Sequence, residues 1–186
     1  MNAPLVSLAH RPAGSSIRRA IRSELAELEA LIVSSLVQFR GLVSEPILSL
    51  YIEQSRDIGS RWDEAIVLVA ERDNRIAGTV TFYDDASRES VGLPSGWAGF
   101  RTLAVHPRFR GQGFGRMLMS DCIHRARAIG AEAVGIHTAS VMTEACQLYE
   151  SAGFRRQPEY DLFASELMGL DPALGEQEII AYRLDL

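Results

Sequence analysis

The feature that most constrains this chain is a run of alternating glycines between a strand-like and a helix-like pattern. Upstream, residues 100–105 are mostly aromatic, aliphatic or β-branched, which predicts a strand, and Gly111, Gly113 and Gly115 follow. Downstream, apolar residues recur at three- and four-residue steps, which predicts a helix with one buried face. That face holds Phe114, Leu118, Cys122, Ala126 and Ile129. A strand, a glycine-rich turn and a helix N-terminus form an anion site, because backbone N–H groups and the helix dipole meet there.

The ligand of this site is expected to carry phosphate, and the spacing of the motif narrows the choice. Arg108, Arg110 and Arg116 supply cations around the glycines. A nucleoside triphosphatase loop would end in Gly-Lys-Ser/Thr, whereas Gly115 is followed by arginine and methionine. A dinucleotide-binding oxidoreductase would show G-x-G-x-x-G and an acidic residue about 20 positions further on. Here the glycines run G-x-G-x-G and Glu132 lies in a predicted turn, so both of these classes are disfavoured.

The stretch Arg110-Gly-Gln-Gly-Phe-Gly115 resembles the Gln/Arg-x-x-Gly-x-Gly/Ala motif of the GCN5-related N-acetyltransferase (GNAT) superfamily, which holds the pyrophosphate of acetyl-coenzyme A. Three further segments resemble that family in the same order. Leu103-Ala-Val-His-Pro107 is similar to the strand before the loop, Ala145-Cys-Gln-Leu-Tyr-Glu-Ser-Ala-Gly-Phe154 to the following helix, and Ile179-Ile-Ala-Tyr-Arg-Leu184 to the closing strand. The resemblance runs from about Ser16 to the C-terminus.

The predicted architecture is of the α/β (α+β) class: a largely antiparallel sheet with one parallel strand pair and helices on both faces. This agrees with the acyl-CoA N-acyltransferase-like fold that the resemblance implies. Predicted strands cover residues 16–20, 65–70, 76–83, 98–105, 133–138, 154–163 and 178–186, and predicted helices cover 23–38, 44–58, 114–129 and 143–152. A whole helix connects residues 98–105 to residues 133–138, so these two strands are expected to be parallel.

The domain organisation predicted from the sequence is simple. Residues 1–15 are expected to be a flexible N-terminal tail, and residues 16–186 a single GNAT-like N-acetyltransferase domain without an internal linker. Ser23 is the expected cap of the first helix. Residues 84–97 and 158–177 are rich in Gly, Pro and charged or small polar residues, so both are expected to be loops, the second lying over the substrate face.

Composition narrows the function classes. The 186 residues carry a net charge of −5, which argues against a general nucleic-acid-binding protein. No apolar run approaches the roughly 18 residues of a membrane span, and a cytoplasmic location is expected.

Cys122 and Cys146 are expected to be small buried hydrophobic residues rather than a disulfide or a catalytic thiol. The four histidines have no ligand-like spacing, so no metal is expected.

The resemblance implies transfer of an acetyl group from acetyl-coenzyme A directly to a primary amine, within a ternary complex. The residues that it places against the cofactor are Leu103, Ala104, Val105, Arg110, Gly111, Gln112, Gly113, Phe114, Gly115 and Arg116. Tyr149 matches the tyrosine that family members place beside the thioester sulfur, so it is the candidate proton donor. The alternative is a non-catalytic acyl-CoA-binding or regulatory domain of the same fold. Homodimer formation is left open.

The general base is not evident from the sequence. Many family members have a glutamate near the start of the strand that precedes the loop, but Ala98-Gly-Phe-Arg101 contains no carboxylate. The alternatives are Asp84, Asp85, His137 or a chain of water molecules. Met142 also stands where the family often has asparagine. These departures concern the base and the acceptor, not the cofactor.

The acceptor amine, a small molecule or a peptide, is also unidentified by the sequence. Its site is expected to be built from the first two helices and the two predicted loops. The aromatic residues considered for its lining are Trp62, Trp97, Tyr160 and Phe163.

Overall fold

A computed structural model describes residues 12–89 and 92–186, and its described strands form one eight-stranded sheet. The strands are β1 (Ser15–Arg19), β2 (Ile66–Arg72), β3 (Arg75–Tyr83), β4 (Trp97–Val105), β5 (Ala133–Ala139), β6 (Arg155–Arg156), β7 (Leu162–Phe163) and β8 (Glu178–Asp185). Their order is β1-β2-β3-β4-β5-β8-β6, with β7 also paired to β8. Only the β4–β5 pair is parallel among these strands. The predicted mixed sheet with one parallel pair is confirmed.

Helices cover both faces of the sheet. They are α1 (Leu25–Leu36), α2 (Glu45–Arg56), α3 (Phe114–Ala128), α4 (Thr143–Ser151) and the short α5 (Ala164–Met168). Alternate residues of β2 point to opposite faces: Leu68 packs with α3, whereas Val67 and Val69 pack with α1. The sheet therefore separates one core beneath α3 and α4 from another beneath α1, as predicted.

The β2–β3 hairpin forms because its turn residues accept the required backbone. Asp73 and Asn74 have φ of 52° and 57°, and these two residue types tolerate the left-handed region best after glycine. Two consecutive positive φ values match the right-handed twist of the flanking strands. The predicted hairpin is confirmed.

Two helix boundaries differ from prediction. Ser23 does not cap α1: it lies in a 3₁₀ turn, and α1 begins at Leu25. The reason is Glu24, whose carboxylate accepts hydrogen bonds from Ile21 N at 2.9 Å and from Arg18 at 2.6 Å, which fixes a tighter turn first. Ile129, predicted on the buried face of the third helix, lies just beyond α3 and is 52% exposed.

The segment 154–177 also differs. The single strand predicted over residues 154–163 is two short strands, β6 and β7, separated by a 3₁₀ turn, and residues 158–177 include α5 rather than a continuous loop. The turn is held by Asp161, which accepts two hydrogen bonds from Arg156 (2.9 and 2.8 Å) and one from Ala181 N (2.8 Å). The bond to Ala181 joins residues 20 apart in sequence, which local patterns do not show.

The N-terminal tail predicted over residues 1–15 lies outside the described residues up to residue 11, and β1 begins at Ser15. Within the described ranges, no helix combines the length and hydropathy that crossing a bilayer requires.

Candidate active site

Strands β4 and β5 lie side by side for three residue pairs and then separate. The pairs are Trp97↔Ala133, Ala98↔Val134 and Gly99↔Gly135. Since β4 continues to Val105 and β5 to Ala139, the two strands diverge over most of their length. Backbone groups on the facing edges of the divergent parts are available to a ligand.

A cavity of about 760 Å³ occupies this opening, a volume typical of small-molecule sites. Its walls include the β4 segment from Phe100 to Val105, the glycine loop, the first turns of α4, and the ends of α1 and α2. Because α3 and α4 cover one face of the sheet and α1 the other, the cavity reaches both faces through the gap between β4 and β5.

The glycine loop presents the N-terminus of α3 to this cavity. Gly111 and Gly113 have φ of 71° and 89°, values that favour glycine. Gly113 immediately precedes α3, and no side chain caps the helix. The first-turn N–H groups, those of Phe114, Gly115 and Arg116, therefore have no acceptor within the helix. All three residues line the cavity, so an anion there would meet unpaired donors and the positive end of the helix dipole.

Two of the predicted phosphate-binding arginines also line the cavity. Arg110 connects the loop to α1, because its guanidinium donates to Gln38 Oε1 at 2.7 Å and to Ser35 O at 3.1 Å. Arg116 is exposed and donates to Ser151 Oγ at 3.2 Å. Both cations lie at the loop end of the cavity.

Gln112 alone among the predicted cofactor residues does not line the cavity. Its side chain accepts a hydrogen bond from Arg72 Nη1 at 2.8 Å and donates one to Arg108 O at 3.0 Å. The glutamine side chain therefore holds the loop in shape.

Thr102 marks an irregularity in β4 opposite β3. The register shifts between Thr79 and Thr81, so that β4 contains one extra residue, and Thr102 has φ of 54°. A β-branched residue in the left-handed region is strained, and such strain is common at functional sites. Its Oγ1 is buried without a hydrogen-bond partner in the described structure, and the residue lines the cavity.

Thr102→Gly is expected to increase the free energy of unfolding by about 1 kcal/mol. The substitution relieves about 1–2 kcal/mol of backbone strain and removes an unsatisfied hydroxyl. Glycine also gives the unfolded chain more conformational freedom, which lowers the stability by about 0.5–1 kcal/mol. Chemical denaturation monitored by circular dichroism measures the change. A destabilised variant would contradict the strain at this position.

Tyr149 reaches the cavity from the second turn of α4. It is 6% exposed, and its ring packs against Phe100, Phe154 and Tyr182 with centroids 6.0, 5.8 and 6.1 Å away. Three aromatic neighbours restrict the ring to one orientation. The phenol is thus a fixed group in the cavity wall.

His137 lies on the divergent part of β5 and lines the cavity. Its Nε2 is 2.8 Å from Tyr160 O, and because a carbonyl only accepts, this nitrogen carries the hydrogen. Nδ1 then holds a lone pair, and it is buried with no partner in the described structure. Burial lowers the pKa of His137 below its ordinary value, against weaker opposing effects of Tyr160 O and Asp161, so the ring is neutral at pH 7.

The other candidate bases lie elsewhere. Asp84 and Asp85 follow β3 and do not line the cavity. Asp84 pairs with Arg88 at 3.0 Å, and Asp85 accepts hydrogen bonds from Ser87, which lower the pKa of its carboxyl group. These two residues stabilise a surface turn.

A protein-family model, that of the Acetyltransferase (GNAT) family, matches residues 28–154. The chain belongs to the GNAT acetyltransferase family. The matched region runs from α1 to just beyond α4 and so contains the divergent strands, the glycine loop and Tyr149.

Relatives of this GNAT chain are distant. YvbK, an uncharacterized N-acetyltransferase of Bacillus subtilis (strain 168), is 34% identical over 62 residues, which are 33% of this chain and 40% of YvbK. The match therefore spans under half of that relative's length.

Solved structures also resemble this chain. A GCN5-related N-acetyltransferase structure from Rhodopseudomonas palustris has a TM-score of 0.72 at 16% identity, covering 95% of this chain and 98% of that one. The PaiA N-acetyltransferase from Thermoplasma acidophilum, solved with coenzyme A, has a TM-score of 0.68 at 13% identity, covering 92% and 99%. The structural likeness shows a shared fold.

The aromatic residues considered for the acceptor site of this GNAT chain do not line the cavity. Trp97 and Tyr160 pack against each other with ring centroids 5.5 Å apart, and Arg183 lies over Trp97. Trp62 lies beneath Arg22, and Phe163 is 47% exposed. Residues 158–177 likewise contribute nothing to the lining of this cavity.

The first two helices were expected to help build the acceptor site, and α1 and α2 do line the cavity, but the sequence did not identify which of their residues do so. Ile32, Leu36, Phe39, Leu42 and Tyr51 all border the cavity. Helical periodicity placed several of them on buried faces, but it did not distinguish a face packed on the sheet from one that overhangs an opening. Thr102 was also missed, because a bulge leaves no signal in the sequence.

Proposed function

We propose that this protein is an acetyl-CoA-dependent N-acetyltransferase that transfers the acetyl group directly to a primary amine. The observation that supports it most is the gap between β4 and β5, which opens beside the uncapped N-terminus of α3 and contains a fixed tyrosine. An anion site and a proton donor on one continuous cavity match the needs of a reaction that uses a pyrophosphate-bearing thioester.

The residues of this cavity fit acetyl-CoA. Its pyrophosphate would meet the first-turn N–H groups of α3, with Arg110 and Arg116 close by. A Cβ at Gly111 would meet no atom within 4 Å, so the loop leaves space for the ligand. The divergent backbone from Leu103 to Val105 would pair with the amide groups of the pantetheine arm. Bound acetyl-CoA would supply the thioester acetyl group, and backbone N–H groups near the Thr102 bulge would polarise its carbonyl.

Two side chains would move the protons. The Tyr149 hydroxyl would donate a proton to the departing sulfur, and His137 Nδ1 would accept one from the amine, directly or through water. Because burial keeps His137 neutral at pH 7, it can accept a proton without first losing one. It would replace the glutamate that is absent from residues 98–101.

Direct transfer is favoured over a covalent intermediate. Cys122 is fully buried, burial raises the pKa of its thiol, and it does not line the cavity. Cys146 is half-buried rather than buried as predicted, its thiol pKa is also raised by burial, and it lies outside the lining as well. Neither thiol is placed or ionised as a nucleophile requires.

The pH profile tests His137. Because the pKa of His137 lies below the ordinary value of about 6.5, kcat/KM calculated on the concentration of neutral amine is expected to be level near pH 7 and to fall with decreasing pH as the ring becomes protonated. His137→Gln retains a donor for Tyr160 O and is expected to lower the plateau about 100-fold and remove the acid limb. His124→Gln, at an exposed position on α3, is the control and should leave the profile unchanged. An acid limb retained in His137→Gln would exclude this base.

The activity itself is tested in two steps. Acetyl-CoA and CoA at about 100 times their dissociation constants should each add about 2.7 kcal/mol of stability, whereas NAD and ATP should add none. Amine-dependent release of CoA then separates an enzyme from a non-catalytic acyl-CoA-binding domain. Binding without release of CoA for any amine would favour the latter.

A further inference from the structure

Resting on the proposed function, we infer that the acceptor is a primary amine attached to an apolar body, with no second positive charge. The cavity regions that remain beyond the phosphate loop point to this class. Polyamines, aminoglycosides and basic peptides are disfavoured by the same features.

The acceptor side of the cavity is identified by the arrangement of the fold. The glycine loop and the N-terminus of α3 lie at one end of the cavity, and under the proposed function a pyrophosphate would occupy that region. The cavity continues through the gap between β4 and β5 to the face covered by α1 and α2. A second substrate that attacks at the gap must therefore approach from the α1–α2 face.

The wall on that face is mainly apolar. Its apolar residues are Ile32, Leu36, Phe39, Leu42 and Tyr51 from α1, α2 and their connection, together with Val141 and Met142 just beyond β5, and its polar residues are Ser35, Gln38 and Ser55. Leu42 is 66% exposed in the connection between the helices. An exposed leucine at the rim of a cavity gives contact area to an apolar ligand and no partner to a charged one.

The charges of the residues that line the cavity also disfavour an acceptor with a second positive charge. Among the described residues, the lining contains Arg101, Arg110 and Arg116 but a single carboxylate, Glu144. Glu144 is exposed in the first turn of α4, two residues beyond Met142. The carboxylates of α1 and α2 (Glu27, Glu29, Glu45 and Glu53) all lie outside the lining.

This distribution of charged residues favours amines with one amino group over amines that carry a second positive charge. The reacting amine must be neutral to attack, so the site need not hold a cation there. A second ammonium group would lose its water without gaining a carboxylate, which is strongly unfavourable. An apolar chain of the same length would instead gain contact with the α1–α2 wall.

Hexylamine and 1,5-diaminopentane provide the matched test, because they have the same number of non-hydrogen atoms and differ in one terminal methyl or amine. We expect kcat/KM for CoA release to be at least about 100-fold higher with hexylamine. 2-Phenylethylamine should also react, whereas spermidine and kanamycin should not. Faster release with 1,5-diaminopentane, spermidine or kanamycin would overturn the inference and leave the proposed function intact.

A charge substitution tests the wall itself. Leu42→Asp places a carboxylate at the rim and should lower the hexylamine preference about 10-fold, since the diamine gains a partner and hexylamine loses contact. Leu174→Asp is the control, because Leu174 is also exposed (48%) but does not line the cavity. An unchanged ratio in Leu42→Asp would show that this wall does not contact the acceptor. If acetyl-CoA binds but no amine causes release of CoA, the proposed function fails together with the inference.

Discussion

Gly111→Asp is expected to weaken CoA binding at least about 100-fold, or about 2.7 kcal/mol. Gly111 has φ of 71°, it lines the cavity, and a Cβ there meets no atom within 4 Å. Aspartate tolerates this backbone better than most residues and fits sterically, so its main effect is charge. Two unit charges about 5 Å apart at an effective dielectric of about 20 repel by about 3 kcal/mol. Isothermal titration calorimetry with CoA measures the loss.

Gly111→Asn is the matched control for this prediction. It has nearly the same shape and the same backbone strain of about 1–2 kcal/mol, but no charge. We expect its affinity for CoA to fall by less than about 5-fold, with both variants losing similar stability in the absence of ligand. Equal affinities in the two variants would mean that the loop is not the pyrophosphate site.

Tyr149→Phe is expected to lower kcat by about 100-fold to 10,000-fold while leaving CoA affinity nearly unchanged. The ring is fixed by three aromatic neighbours, and phenylalanine keeps this packing. What the variant loses is the hydroxyl, the proposed donor of a proton to the departing sulfur. Steady-state kinetics of CoA release and calorimetric binding separate the two effects.

Tyr182→Phe is the control from the same aromatic cluster. Tyr182 is 2% exposed, packs against Tyr149, and donates its hydroxyl hydrogen to Glu150 at 2.8 Å, but it does not line the cavity. Its loss should cost about 1 kcal/mol of stability and change kcat by less than about 3-fold. If the two variants lost equal activity, the effect would be structural, and Tyr149 would not be the donor.

Elements that rest on local signals could be predicted well. The β2–β3 hairpin follows from Asp73 and Asn74, and α3 follows from its glycine loop and the spacing of its buried residues. The parallel β4–β5 pair follows from the helix between them. The start of α1 could not be predicted in this way, because the position of Glu24 depends on Arg18 of β1. The same holds for residues 154–177, where Asp161 is bound to Ala181 of β8.

In the candidate site, too, some residues were predicted from the sequence and others were not. The glycine loop, Arg110, Arg116 and Tyr149 were predicted from the sequence, and all of them line the cavity. The first two helices were expected at the acceptor site, but Thr102 and the particular lining residues of α1 and α2 were not predicted, because no local pattern encodes a bulge or the overhang of two helices above a gap. The aromatic residues considered for the acceptor were chosen by type, and type alone does not show which face of an element lies at an opening.

The sequence by itself determined the composition of the loop end of the cavity, because glycines that accept positive φ, arginines and a helix start are adjacent in the chain. It also determined the order of the strands and helices from β1 to α4, since hydrophobic periodicity is a local property. Only the tertiary structure decided what lies opposite that end. Three strand pairs and then divergence bring His137 beside the cavity and place a wall from α1 and α2 across it. Such contacts depend on how elements distant in sequence pack together. The hydrophobic pattern of a helix or strand does not change with its neighbours, so it cannot predict these contacts.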